Sequence, residues 1–106
     1  MTAIGGALYA SRLARVRQAM KSQSIDAALL SVGHDLPYLT GYYAMPLERL
    51  TMLVVTHDSL AALVVPRLEA PRVTPFDDVF EVVPWGEPEN PVEIVAKHLG
   101  GAKRIA

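Results

Sequence analysis

Two apolar runs, residues 50–56 and 60–65, are separated only by His57-Asp58-Ser59. Runs of this length, rich in Val and Leu, suit strands rather than helices. A three-residue polar connection can reverse a strand. It cannot carry the long crossover that a parallel partner needs. The chain therefore contains an antiparallel hairpin, and any sheet built around it is not purely parallel. Residues 27–32 form an earlier apolar run without alternation, as in strands covered on both faces. Residues 79–83 supply a fourth strand.

Helices complete the pattern. Between residues 7 and 22, Tyr9, Leu13, Val16 and Met20 recur at i, i+4, i+7 and i+11 and share one face. Arg12, Arg15, Arg17 and Lys21 lie mostly off that face and read as a solvated outer surface. Gly5-Gly6 reads as a flexible lead. Asn90 caps a second helix, with Pro91 at its first position and Gly100-Gly101 as its stop. Val92, Val95, Ala96 and Leu99 mark its core face. Residues 67–73 read as a short helical turn and 84–88 as a loop, with Trp85 plugging the sheet end. The fold class is α/β: a mixed sheet of at least four strands with helices on both faces, in one domain spanning 1–106.

Charge and composition exclude several functions. Ten basic residues face eleven acidic ones, for a net charge of −1, which argues against nucleic acid or an anionic membrane as partner. No apolar run approaches the ~20 residues a membrane-spanning helix needs. With no cysteine, disulfides and thiolate metal sites are excluded, and a cytoplasmic setting is expected. His34, His57 and His98 stand at spacings that build no metal site. Asp77-Asp78 reads as a solvated turn. There is neither a nucleophile elbow nor a glycine-rich phosphate loop, so no catalytic residue is assigned and no metal ligand.

The stretch Asp35-Leu36-Pro37-Tyr38-Leu39-Thr40-Gly41-Tyr42-Tyr43 links the first strand to the hairpin. It reads as one short helix, with Asp35 as N-cap, Pro37 in the first turn and Gly41 as the left-handed residue that ends it. His34 precedes it at the C-terminal end of a strand, where open α/β sheets commonly place ligands. Leu36-Pro37-Tyr38-Leu39-Thr40-Gly41-Tyr42 resembles the YLTG(F/Y) signature of the creatinase/prolidase N-terminal domain. Ile25-Asp26-Ala27, Arg49-Leu50 and Leu63-Val64-Val65-Pro66 fit the same pattern in the same order.

That resemblance implies a ribonuclease H-like motif and a non-catalytic role in a Xaa-Pro dipeptidase or aminopeptidase. The active centre of such enzymes lies in a C-terminal domain that this chain lacks, where a pair of divalent metals (Mn, Co or Zn) is expected. The implied partners are that catalytic domain, a second subunit in a homodimer, and a proline-containing peptide. The positions matching the substrate entrance are Tyr42, Tyr43 and Arg49, with His34 a further candidate. Two alternatives stay open: a creatinase-like amidinohydrolase and a stand-alone binding or dimerisation module. Residues 103–106 read as a strand just beginning, so a truncated last strand and a longer parent protein are expected.

Overall fold

The computed structural model describes residues 2–31, 33–43, 49–57, 60–76, 78–86 and 89–106, with side chains from Gly6 onward. Helix α1 (Thr2–Ser22) leads to β1 (Ala27–Leu30), α2 (Asp35–Thr40), β2 (Met52–Thr56) and β3 (Ala61–Pro66). A 3-10 turn (Ala70–Arg72), β4 (Phe80–Trp85) and α3 (Pro91–Leu99) follow. The strands lie in the order β1-β2-β3-β4.

The hairpin forms as its connection requires: β2 and β3 pair antiparallel, with Leu53 opposite Leu63. β1 also runs antiparallel to β2, whereas β4 runs parallel to β3. The sheet is mixed, and all six residues of β3 are buried. Alternate β2 and β3 residues feed two cores. Leu53, Val55, Ala61, Leu63 and Val65 pack with Leu13 and Met20 of α1 and Leu36 and Leu39 of α2. Val54, Ala62 and Val64 pack on the other face with Val95 of α3 and Trp85. Both faces are covered by helices, which is why these strands show no polar alternation.

Several expectations change in detail. Gly5-Gly6 is no lead, because α1 runs through it from Thr2. Glycine costs a helix interior about 1 kcal/mol, a preference that packing can override; the Phe76 ring lies against Gly6 and against Tyr9 one turn on. Two α1 arginines are not merely solvated. Arg12 donates from Nη1 to the Tyr38 carbonyl at 2.7 Å, and Arg17 from Nε to the Thr56 carbonyl at 2.8 Å.

β1 ends at Leu30, which pairs with Leu53, one residue inside the start of β2. The expected strand end, Val32, lies outside the described residues, as do Asp58, Ser59, Asp77 and the end of the 84–88 segment. Pro84 and Trp85 belong to β4 rather than to a loop, opposite Val65 and Pro66. β4 is an edge strand of the sheet, where proline is tolerated. The 3-10 turn falls within the helical turn expected at 67–73. Trp85 does plug the sheet end, its indole N–H donating to the Leu50 carbonyl at 2.9 Å.

In α3, Asn90 caps as expected, Oδ1 accepting from the Val92 N–H at 3.0 Å. The buried stripe, however, is turned by one residue. Val92 is 63% exposed and Ala96 is exposed, while Ile94, Val95 and Leu99 face the sheet. Two apolar frames fit the sequence equally, and the frame that buries Ile94 in place of Ala96 removes more apolar surface from water. Asp35 is not an N-cap either. It is the first helical residue of α2, and His34 holds the cap position with helical φ and ψ and no side-chain cap bond.

Residues 103–106 lie along the outer edge of β1, where Ile105 bridges Ala27 in parallel. Asp26 latches them: its Oδ2 accepts from the N–H groups of Lys103 and Arg104, each at 3.0 Å. These bonds, Arg104's first, hold the Asp26 carboxyl below its ordinary value of 3.8. A depressed folded value means the latch contributes fully above pH 3.8 and is lost as pH falls through the folded value. The amide shifts of Lys103 and Arg104 should therefore titrate together at a pH below 3.8, and Asp26→Ala should abolish both that titration and the hydrogen-exchange protection of the two amides. Unchanged protection in Asp26→Ala would show that the β1 bridge holds the segment without the latch.

Candidate functional site

β1, β3 and β4 point one way and β2 the other. The C-terminal ends of the first three and the N-terminal end of β2 thus share one end of the sheet. His34, α2, Tyr42, Tyr43, Arg49 and the turn after β3 follow from those ends. All four candidate residues taken from the sequence therefore belong to one end of the sheet.

Gly41 sets the path of the chain there. It adopts φ 78° and ψ 0°, and its N–H donates to the Pro37 carbonyl at 2.8 Å. This is the expected left-handed end of α2, a conformation glycine adopts without steric cost. A Cβ at this position would stand 2.6 Å from the Tyr9 hydroxyl oxygen and 2.9 Å from Cζ of the same ring. Thr40 closes the turn: its hydroxyl donates to the Leu36 carbonyl at 2.8 Å and accepts from the Tyr42 N–H at 3.1 Å.

The adjacent tyrosines then part company. Tyr42 is 5% exposed and Tyr43 81%. The Tyr42 hydroxyl donates to Glu69 Oε1 at 3.1 Å, and Arg72 lies 3.9 Å from that same oxygen. Burial, reinforced by the bond to Glu69 and its charge, raises the Tyr42 phenol above its ordinary value. Tyr42 is thus a neutral anchor rather than a base. His34 and Arg49 are exposed. Among the described residues, no hydrogen bond or ion pair joins any two of His34, Tyr42, Tyr43 and Arg49.

Sequence reasoning missed Glu69, Arg72 and Arg12. Glu69 meets Tyr42 across 27 positions, and no local pattern announces such a contact. Arg12 places its guanidinium 4.1 Å above the Tyr38 ring while bonding the Tyr38 carbonyl. No group of three or more His, Asp or Glu among the described residues could hold a metal ion. Chemically, this end offers an exposed aromatic face, an exposed cation and an anchored scaffold. Such a set can recognise a ligand with an apolar ring and an anionic group; it holds no nucleophile–base pair. A polar-rimmed depression lined by Thr56, Leu60, Glu81 and His98 lies at the opposite end of the sheet.

The model of the creatinase/prolidase N-terminal domain matches residues 12–106. The probable dipeptidase PepE of Mycobacterium tuberculosis is 34% identical over 98 residues, covering 90% of this chain and 26% of that protein. The crystal structure of dipeptidase PepE from Mycobacterium ulcerans superposes with a TM-score of 0.78 at 34% identity, over 91% of this chain and 27% of that one. The creatinase/prolidase N-terminal domain of an X-Pro dipeptidase from Streptococcus pyogenes gives a TM-score of 0.75 at 31% identity, over 91% of this chain and 74% of that one. The chain spans about a quarter of the length of the curated relatives it matches.

The Tyr42 anchor is open to test. Tyr42→Phe keeps the ring and removes the bond to Glu69, which should cost about 1 kcal/mol in thermal or denaturant unfolding. The raised phenol value adds a pH signature. The neutral form is favoured in the folded chain, so its stabilisation is whole below the ordinary value of 10.0 and is lost as pH rises through the folded value. The fall in stability above pH 10.0 should be shallower in Tyr42→Phe. Identical alkaline limbs in the two proteins would mean that Tyr42 is not the titrating anchor.

Proposed function

The chain belongs to the creatinase/prolidase N-terminal domain family, and from that premise we propose that it is the non-catalytic N-terminal domain of a Xaa-Pro dipeptidase or aminopeptidase. In this reading a C-terminal domain carries the chemistry, and this domain contributes to dimerisation and to the substrate entrance. The relatives named above are dipeptidases, which favours a peptidase over an amidinohydrolase. The described residues offer no ligand set for the expected metal pair, so no chemical step is assigned to them. Among the described residues, no helix is long and apolar enough to cross a membrane; action on a free peptide in the cytoplasm is part of the proposal.

The observation that carries the reading is the division of labour at the sheet end. Tyr42 is buried and bonded, whereas its neighbour Tyr43 is almost fully exposed. A scaffold that holds one tyrosine and presents the next provides a large, stiff contact face with a polar tip. A proline ring is a fitting apolar partner for that face. Arg49, exposed three residues before β2, can pair with the carboxylate of a short peptide through two parallel N–H bonds. In a homodimer this end would face the catalytic centre of the neighbouring subunit.

In the longer protein, Arg49→Ala should lower kcat/KM for a Xaa-Pro substrate without releasing metal. Loss of one charge-assisted contact is worth about 1.5–3 kcal/mol, roughly ten- to a hundredfold. Mixing Arg49→Ala subunits with subunits lacking metal ligands should restore part of the activity, since each heterodimer rebuilds one complete site. Kinetics identical to wild type would reduce Arg49 to a surface charge, and failure of mixed subunits to recover activity would remove the contribution in trans.

A further inference from the structure

We infer that Arg12, on the distant helix α1, is a positioning residue that fixes how Tyr43 is presented, so that it acts on substrate recognition through the end of α2 rather than by touching substrate. The inference rests on the proposed role of Tyr43 at the entrance.

The last carbonyls of a helix lack partners within it. At the end of α2, the Pro37 carbonyl accepts from the Gly41 N–H, and the Leu36 carbonyl from the Thr40 hydroxyl. The Tyr38 carbonyl is taken by Arg12 Nη1 at 2.7 Å. The same guanidinium lies 4.1 Å from the Tyr38 ring centroid and 5.6 Å from that of Tyr9. Arg12 therefore supplies a charged C-terminal cap from another helix and grips the same residue by its ring. A planar cation does both at once; an ammonium does not.

Tyr9 lies on the same helix and completes the clamp from below. Its hydroxyl and ring end occupy the space a Cβ at Gly41 would need. Carbonyl cap, ring stack and steric floor all bear on residues 38–41, immediately before the two tyrosines. Tyr42 is secured separately through Glu69. Tyr43, 81% exposed, relies on the direction in which the backbone leaves Gly41. Loosening Arg12 should therefore tilt and mobilise Tyr43 before it unfolds the core.

Arg17 provides an internal control. It also sits on α1 and donates to a backbone carbonyl, that of Thr56 at 2.8 Å, at the opposite end of β2. Arg17→Ala removes this bond and leaves the Arg12 contacts to Tyr38 in place.

Two readouts test the inference. In this chain, ¹⁵N relaxation should show the amide order parameter of Tyr43 falling from the rigid range, about 0.85, in Arg12→Ala but not in Arg17→Ala. Arg12→Lys should fall between wild type and Arg12→Ala, and it serves if Arg12→Ala does not fold. In the longer protein, Arg12→Ala should raise KM for a Xaa-Pro dipeptide about fivefold with kcat within about twofold, and it should add nothing in a Tyr43→Ala background. An unchanged order parameter overturns the inference whatever the enzyme does. Additive effects of Arg12→Ala and Tyr43→Ala also overturn it, because Arg12 would then act by another route. If Tyr43→Ala leaves KM unaltered while the order parameter does fall, the entrance role fails and only the clamp on the chain's path survives.

Discussion

The contact between Gly41 and the ring of Tyr9 is the constraint from which the course of the chain at this end of the sheet follows. A Cβ at Gly41 would stand 2.6 Å from the Tyr9 hydroxyl oxygen unless that ring shifted, and the backbone there is left-handed. Strain of that kind costs an ordinary residue about 1–3 kcal/mol before any clash is counted. With glycine in place, α2 can end abruptly against α1. Its apolar side, Leu36 and Leu39, is then driven into the core over β2 and β3, and the chain leaves toward solvent at Tyr43.

The sheet supplies the rigidity this arrangement needs. β3 is buried along its whole length, flanked by an antiparallel neighbour and a parallel one. The parallel pairing brings the ends of β3 and β4 to the same side, where the backbone N–H of Arg67 meets the Trp85 carbonyl at 2.7 Å. Trp85 in turn holds Leu50 at the entry to β2. Arg49 therefore stands beside a fixed point, although it makes no bond of its own among those described. The surface pair between Arg67 and Glu89, at 3.1 Å, is exposed and adds little to stability. Its role is to tidy the turn after β4, where Glu89 also accepts from the Gly86 N–H.

What the sequence reveals here depends on whether the cause is local. The hairpin, the mixed sheet and the left-handed Gly41 were legible, because connection length and turn chemistry decide them within a few residues. The cap at Asn90 was legible for the same reason. The buried face of α3 was not: Val92 and Ala96 offered an apolar frame as regular as the true one, and the frame that buries Ile94 removes more apolar surface from water. The start of α2 was misjudged by one residue, because His34 joins the helical conformation without supplying a cap. Pro84 entered a strand because β4 is an edge strand, a tertiary fact. His34, Tyr42, Tyr43 and Arg49 share one end of the sheet by strand order alone. That Tyr42 anchors while Tyr43 is presented depends on Glu69, a contact no periodicity foretells.

The central claim is that Tyr43 is presented toward a substrate entrance shared between subunits. Photo-crosslinking tests it most directly, with p-benzoylphenylalanine replacing Tyr43 in the longer protein. Irradiation should give a covalent dimer whose cross-linked peptide maps to the partner's catalytic domain, and a saturating proline-containing dipeptide should suppress it. Cross-links confined to one subunit, or a yield indifferent to the dipeptide, would contradict the account.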